Sequence, residues 1–457
     1  MAQAKAQAHG RAQQEEPRID VEPGPWAGGT ALNTAQSAEL CGKLPKGPWL
    51  GMPLRGSGEP PRRPDAEWEL TGSRPYLGRF ATGRAAVYLS PSHTALTRPM
   101  IFADGFGHGR SDLPALWDHF NRPYGDSGQR FLDQLLGMGV DVILLGFDAR
   151  HTYVQANAGV AISCIERAKD ERRGARPLIV GGVSTGGLIT RYALAELESV
   201  GVDHQTETYL SYDTPHNGAW TPLILQQLAH FFDAVLQPPE GGARQSQLLR
   251  SAAAQQLLWG WAESAEYSGP LATASPLRRQ LLADLRDVGG FPSRPLKLGV
   301  ANGTGDGLGR ELTPGRTAFE WEWPGVASAA AVIQPDRGRR MEVGHMAAGG
   351  NQVRSFTSGV PPFDGAPGGT LKTFGLLAEA LQTPIAEAYR RSCFVPSSSA
   401  VALDADEHGW PSDLYARLEA LSPGRFALHD FACDGENTEH GSVSAPLVEW
   451  ILARLAK

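Results

Sequence analysis

Residues 178 to 194 read Leu-Ile-Val-Gly-Gly-Val-Ser-Thr-Gly-Gly-Leu-Ile-Thr-Arg-Tyr-Ala-Leu. This stretch restricts the fold more than any other. Residues 177–180 have the length and apolar content of a buried strand, and residues 188–197 have helical spacing. A strand that runs straight into a helix forces the residue at the turn into a strained backbone conformation. Its neighbours must then be small, and Gly182 and Gly186 are. The pattern is Gly-x-Ser-x-Gly, the nucleophile elbow, and its required context of strand before and helix after is present. Ser184 at the apex is predicted to raise its hydroxyl above the sheet, with the Thr185 amide aimed at the same place.

The rest of the chain continues this alternation. Strands are predicted at 80–89, 99–103, 140–146, 208–212 and 296–301. Helices are predicted at 113–120, 129–137, 156–169 and 444–456. Strands alternating with helices give an α/β fold, a mostly parallel sheet covered by helices on both faces. Regular structure is expected from about Glu67 onward. Residues 1–63, rich in Pro, Gly, Gln and Ala, read as an extended or disordered N-terminal arm, with Trp26 and Trp49 as anchors. Residues 64–457 then form the domain. Two insertions interrupt it. Residues 219–290 carry helical runs at 223–236, 248–261 and 277–285, and their Leu, Trp and Phe content predicts a helical cap over an apolar pocket. Residues 304–390 include Ala318-Phe-Glu-Trp-Glu-Trp323, read as an exposed hairpin, and a Gly- and Pro-rich loop at 358–369. No internal repeat is visible.

Composition excludes several function classes. A net charge of −7 over 457 residues argues against nucleic acid or an anionic membrane as a partner held by bulk charge. The four cysteines are scattered with no CxxC, so neither a zinc site nor a disulfide framework is expected. No HExxH occurs and no G-x-G-x-x-G is completed, so no metal and no cofactor is expected. No apolar run approaches the length of a membrane span. The N-terminal MAQAKAQAHGRAQQEE lacks an apolar signal region, which predicts a cytoplasmic protein, or a secreted one if a leader has been removed. The oligomeric state is not readable.

A serine hydroxyl is a weak nucleophile and needs a base, an orienting acid and an oxyanion hole. With an elbow the chain order is serine, acid, histidine. Of the histidines after Ser184, only His440 lies on a polar loop directly before the last helix. His429 falls inside an apparent strand and reads as structural. A second oxyanion donor is expected after an earlier strand, and Asp104-Gly105-Phe106-Gly107 fits: Gly105 lets the chain turn and frees the Phe106 amide. His216 is read as a brace of the Pro215 turn, Tyr153, Gln155 and Asn157 as ties between their loop and the elbow region, and Arg191 and Glu198 as parts of a solvated helix face.

These residues resemble the alpha/beta-hydrolase superfamily on its lipase and esterase side. Leu210-Ser-Tyr-Asp213-Thr-Pro-His216-Asn-Gly218 resembles that group's strand ending in Thr-Pro-His-x-Gly. Thr152-Tyr-Val-Gln155-Ala-Asn157-Ala158 and Phe394-Val-Pro396-Ser-Ser-Ser-Ala400 are similar to a subgroup of bacterial lipase-like proteins, distantly similar to GPI inositol-deacylases. The resemblance spans roughly residues 80–457. One departure is that many lipases have His-Gly-Phe at the oxyanion turn, where this chain has Asp104-Gly-Phe. The resemblance implies a metal-independent serine hydrolase cleaving carboxylic esters through an acyl-enzyme, and the apolar insertion favours hydrophobic acyl or aryl groups in a small-molecule substrate, with acyl transfer or thioester cleavage as close variants and a non-catalytic binding protein as the alternative. It leaves the acid open. Asp213 is preferred, because a carboxylate at the end of a buried strand asks for a partner. Asp306 after the strand at 296–301 is second, and Asp404 and Asp430 remain.

Overall fold

Eight strands form the central sheet, and their side chains explain why it lies in the middle. Met100, Ile101, Phe102, Val142, Ile143, Leu144, Ile179, Val180 and Leu210 are all fully buried, as strands covered on both faces must be. The strand order is Asp430–Cys433, Leu296–Ala301, Thr206–Tyr212, Leu178–Val183, Pro99–Ala103, Asp141–Phe147, Thr82–Tyr88 and Ala66–Thr71. The first six run parallel, and Thr82–Tyr88 pairs antiparallel with both of its neighbours. This is a computed structural model that describes residues 18–44, 50–126, 128–236, 245–264, 274–335, 338–406 and 413–456. Residues 1–17 and Trp49 of the expected arm, and residues 237–244 and 265–273 of the expected cap, lie outside the described residues.

Helices cover both faces. Leu113–Phe120, Phe131–Gly137 and Ala445–Leu455 bury Leu116, Trp117, Phe120, Leu135, Leu447 and Ile451 against one face. Val154–Glu171 and Thr185–Ser199 bury Ala158, Ile162, Ile165, Leu188 and Leu194 against the other. Among the described residues no helix is long and apolar enough to cross a membrane.

The insertion at 219–290 contains the helices Leu223–Leu236, Gln245–Leu249, Ala252–Leu257 and Pro276–Asp287. The run expected as one helix at 248–261 is broken at Ser251, whose hydroxyl caps the second piece by accepting the Ala254 amide. The hairpin expected in the second insertion, Thr317–Trp323 with Ala327–Val332, supplies two strands of a five-stranded sheet. It is continued by Met341–Ala348 and Asn351–Ser358 into an antiparallel sheet.

The fifth strand of that sheet is Arg18–Pro25, paired antiparallel along Asn351–Ser358. The segment expected as an arm therefore carries structure from residue 18. Ile19 and Val21 alternate inward, buried, and the pair of prolines is tolerated because this is an edge strand. Thr34–Lys43 is a helix, started by a capping box between Asn33 and Gln36 and anchored by the buried Leu40.

Candidate active site

Ser184 stands where the strand Leu178–Val183 becomes the helix Thr185–Ser199, with φ 53° and ψ −131°. That is a strained conformation for a residue with a side chain, and close packing enforces it. A Cβ on Gly186 would run into the Ala103 carbonyl oxygen, and one on Gly105 would sit 2.8 Å from the Ser184 Cβ. The serine amide donates to the Tyr212 carbonyl at 2.9 Å, which ties the turn to the neighbouring strand.

Tyr212 ends that neighbour, and Asp213 follows with φ 45°. Its amide donates to the Val300 carbonyl at 2.7 Å, so its carboxyl is delivered to the serine's edge of the sheet. His440 comes from the loop before the last helix. Its Nε2 is 2.8 Å from the Ser184 Oγ, and its Nδ1 is 2.7 Å from the Asp213 Oδ2. With a carboxylate at Asp213, an acceptor only, Nδ1 carries the proton and Nε2 is left to accept from the serine hydroxyl. His440 and Asp213 are 0% exposed and Ser184 is 2% exposed. Chemically, this row can take the serine proton and stabilise the imidazolium that results.

The other acid candidates lie elsewhere. Asp306 is exposed, and its carboxylate accepts the Leu308 amide in its own turn. Asp404 pairs with Arg425, and Asp430 with Arg454. His429 exchanges hydrogen bonds with the Lys297 backbone, at 2.9 and 2.8 Å, and is structural.

The turn after Pro99–Ala103 faces Ser184. Neither the Phe106 amide nor the Thr185 amide has a hydrogen-bond acceptor among the described residues. Asp104 braces this turn from beneath. It is 1% exposed, accepts the Gly105 amide at 2.8 Å and lies 3.4 Å from the Arg150 guanidinium. Burial pushes its carboxyl up, and Arg150 opposes the shift. Arg150 also donates to the His108 carbonyl at 3.0 Å, so one side chain grips both ends of the turn.

Several supporting groups carried no clear sequence signal. Asn302 donates its amide to the free oxygen of Asp213 at 3.0 Å and accepts the Gly441 amide at 2.9 Å, linking the acid to the histidine loop. Phe394 meets the His440 ring edge to face at 5.1 Å. Behind it, Trp220 and Trp259 stack on Phe363. Trp220 donates to the buried Asp364 at 2.7 Å, and burial lifts that carboxyl to about 6.

The segment at 50–57 crosses the same region. Gly51 lies against the Phe106 carbonyl and Met52 against Gly441. Arg55 pairs with Glu439, the residue before His440, and Arg391 holds the other oxygen of Glu439 at 2.8 Å. The Arg55 amide donates to Nδ1 of His119 at 3.0 Å, and Nε2 of that ring bonds the Gly441 carbonyl at 2.8 Å. Burial lowers the His119 pKa to about 4.

Three structural readings change. Arg191 is buried, not solvated: it stacks over Phe291 at 3.5 Å and donates to the Gly290 carbonyl at 2.7 Å, because the loop at 289–292 crosses its helix. Glu198 binds His204 and the amides of Ser293 and Arg294, so it anchors the same loop. Gln155 reaches away from Ser184, to Asp284 and Gln256 at 2.8 Å each, which ties its helix to the 219–290 insertion. His216 is placed as a brace, with Nε2 2.8 Å from the Ser211 hydroxyl.

A scan against protein-family models finds no match, and neither does a search of curated proteins. Solved structures with local similarity include the esterase Est1E from Butyrivibrio proteoclasticus, at 14% identity over 36% of this chain and 56% of that one, with a TM-score of 0.23. The esterase from Pyrobaculum calidifontis gives 14% identity over 58% of this chain and 72% of that one, with a TM-score of 0.29. A puromycin-hydrolysing peptidase from Mycobacterium tuberculosis gives 16% identity over 50% of this chain and 40% of that one, with a TM-score of 0.24. The chain thus spans little more than half the length of Est1E and less than half of the peptidase.

Proposed function

We propose that this chain is a serine hydrolase of the alpha/beta-hydrolase type that cleaves carboxylic esters through an acyl-enzyme. The observation that carries this reading is the unbroken row from Ser184 Oγ through His440 to Asp213, at 2.8 and 2.7 Å. The fold reading is supported by the single reversed strand near one edge of an otherwise parallel sheet and by a serine at the end of an inner strand.

In this mechanism Ser184 Oγ attacks the ester carbonyl while His440 Nε2 takes its proton. Asp213 fixes the ring tautomer and stabilises the imidazolium. The amides of Phe106 and Thr185 hold the oxyanion. His440 then gives the proton to the departing alcohol, and water repeats the sequence on the acyl-enzyme. The helices of residues 219–290 act as the cap. Phe394 against the His440 ring supports a hydrophobic acyl or aryl group as the substrate class.

The burial of Ser184 and His440 also favours a second reading, acyl transfer to an alcohol, amine or thiol, because such a site limits water. Product analysis with an added alcohol or thiol at millimolar concentration separates the two: a transferase passes most of the acyl group to the acceptor, and a hydrolase passes most of it to water.

The deciding experiment is fluorophosphonate labelling together with turnover of p-nitrophenyl esters of rising chain length. Wild type should label at Ser184, and Ser184→Ala should stay folded, unlabelled and inactive. A Ser184→Ala variant with most of the wild-type turnover ends the serine mechanism. An unlabelled, inactive wild type points to a binding protein on a hydrolase scaffold.

A further inference from the structure

Thr185 is 1% exposed, and its hydroxyl oxygen is buried without a hydrogen-bond partner among the described residues. Buried polar atoms are nearly always paired, and an unmet one carries a desolvation cost. The same helix shows how a threonine normally avoids this. Thr190 returns its hydroxyl to the carbonyls of Gly186 and Gly187, at 3.0 and 3.1 Å. Thr185 has no such recourse. The residues three and four positions before it, Gly182 and Gly181, belong to the strand on the far side of the turn at Ser184. The elbow that presents the serine also strands the hydroxyl that follows it.

The orphan hydroxyl belongs to the residue whose amide is also free. Covalent geometry keeps a threonine oxygen within about 3–4 Å of its own amide nitrogen. An oxygen atom bound by that amide therefore lies in the neighbourhood of the hydroxyl.

We propose that the Thr185 side-chain hydroxyl is a catalytic residue, a third donor to the oxyanion beside the amides of Thr185 and Phe106. The inference rests on the serine-hydrolase reading above and adds a residue to it. As charge builds on the former carbonyl oxygen, the hydroxyl turns its hydrogen onto it. No acceptor among the described residues claims that hydrogen beforehand, so no bond is given up when the oxyanion forms, which is the property that makes such donors effective. No proton is transferred in this step; the hydroxyl keeps its hydrogen throughout. The isolated hydroxyl thereby costs stability in the resting protein and finds its acceptor in the transition state.

The test compares Thr185→Val, which keeps the shape and the amide and removes the hydroxyl, with Thr185→Ser, which keeps the hydroxyl. For Thr185→Val the expected result is a fall in kcat of roughly 10- to 100-fold with little change in KM. Its rate of fluorophosphonate labelling should fall in parallel, because the phosphoryl oxygen occupies the same hole. Its thermal midpoint should be equal to or above wild type, since a buried unpaired hydroxyl becomes a methyl group. Thr185→Ser should retain kcat within about threefold of wild type, well short of a lost oxyanion donor. The proposal is overturned if Thr185→Val keeps wild-type kcat, if Thr185→Ser loses as much as Thr185→Val, or if only KM moves. Labelling of wild type and the inactivity of Ser184→Ala report separately on the parent reading. With both intact, a silent Thr185→Val sinks this inference alone.

Discussion

Asp213→Asn is the sharpest perturbation of the site, because both oxygens of that carboxylate are committed. One accepts from His440 Nδ1 at 2.7 Å and the other from the Asn302 amide at 3.0 Å, and the residue is 0% exposed. An asparagine has one acceptor and one donor end, so it cannot serve both. If its oxygen faces His440, its NH₂ meets the Asn302 N–H, and two buried donors oppose each other at a cost of about 1–3 kcal/mol. If its NH₂ faces His440, the ring must move its proton to Nε2, and it can no longer accept the proton of Ser184. The second arrangement satisfies more hydrogen bonds and is expected to dominate. The loss in kcat is then of the order of 10³ to 10⁴, about 4–5.5 kcal/mol of transition-state stabilisation. Steady-state kinetics on a p-nitrophenyl ester read this directly, with Asp306→Asn as the control expected to stay within a few-fold of wild type. An Asp213→Asn variant that keeps a tenth or more of the wild-type kcat, or a severe loss in Asp306→Asn, refutes the reasoning.

Three further outcomes are expected. His119 has a folded pKa of about 4 against an ordinary value of 6.5, so the unfolded chain binds more protons between those values. Its contribution is present above pH 6.5 and is lost as pH falls towards 4, by about 3 kcal/mol in all; urea titrations across this window should show a flatter profile in His119→Gln. Deleting residues 1–60 removes the edge strand Arg18–Pro25, the helix Thr34–Lys43 and the contacts of Met52 and Arg55, so the truncated chain should show a lower urea midpoint than full-length protein, and an unchanged midpoint refutes this. Turnover should survive EDTA, because the reaction as proposed uses only side chains and backbone amides; a loss restored by zinc or calcium would contradict it.

The inner strands of the central sheet were legible because each is a short apolar run closed by turn residues, whereas the edge strand Ala66–Thr71, half polar, was not named. Ser184 was legible for a local reason as well: five residues fix the turn. His440 and Asp213 could be named only through chain order and strand ends, and Asp306 stayed open as a rival. What separates the two acids is Nδ1 of His440, 2.7 Å from Asp213 Oδ2 across 227 positions of chain, whereas Asp306 is exposed in its own turn. The edge strand Arg18–Pro25 of the five-stranded sheet was missed because Ile19 and Val21 give too short an alternation amid prolines to signal a strand. The burial of Arg191 was hidden for a related reason. Its cover is the loop with Gly290 and Phe291, about a hundred residues away, and helical spacing alone does not report what lies over a helix.

The pairing of Arg18 with Ser358 has a consequence for how the chain is made. Arg18–Pro25 leaves a ribosome long before the strand Asn351–Ser358 with which it pairs. At about 5–20 residues per second, some 340 further residues take roughly twenty seconds to a minute to emerge. Through that interval the strand has no ladder to join and is open to other chains and to proteases. A ribosome-bound chain that stops before residue 351 should be cut readily between residues 18 and 25, and one that extends beyond residue 400 should resist.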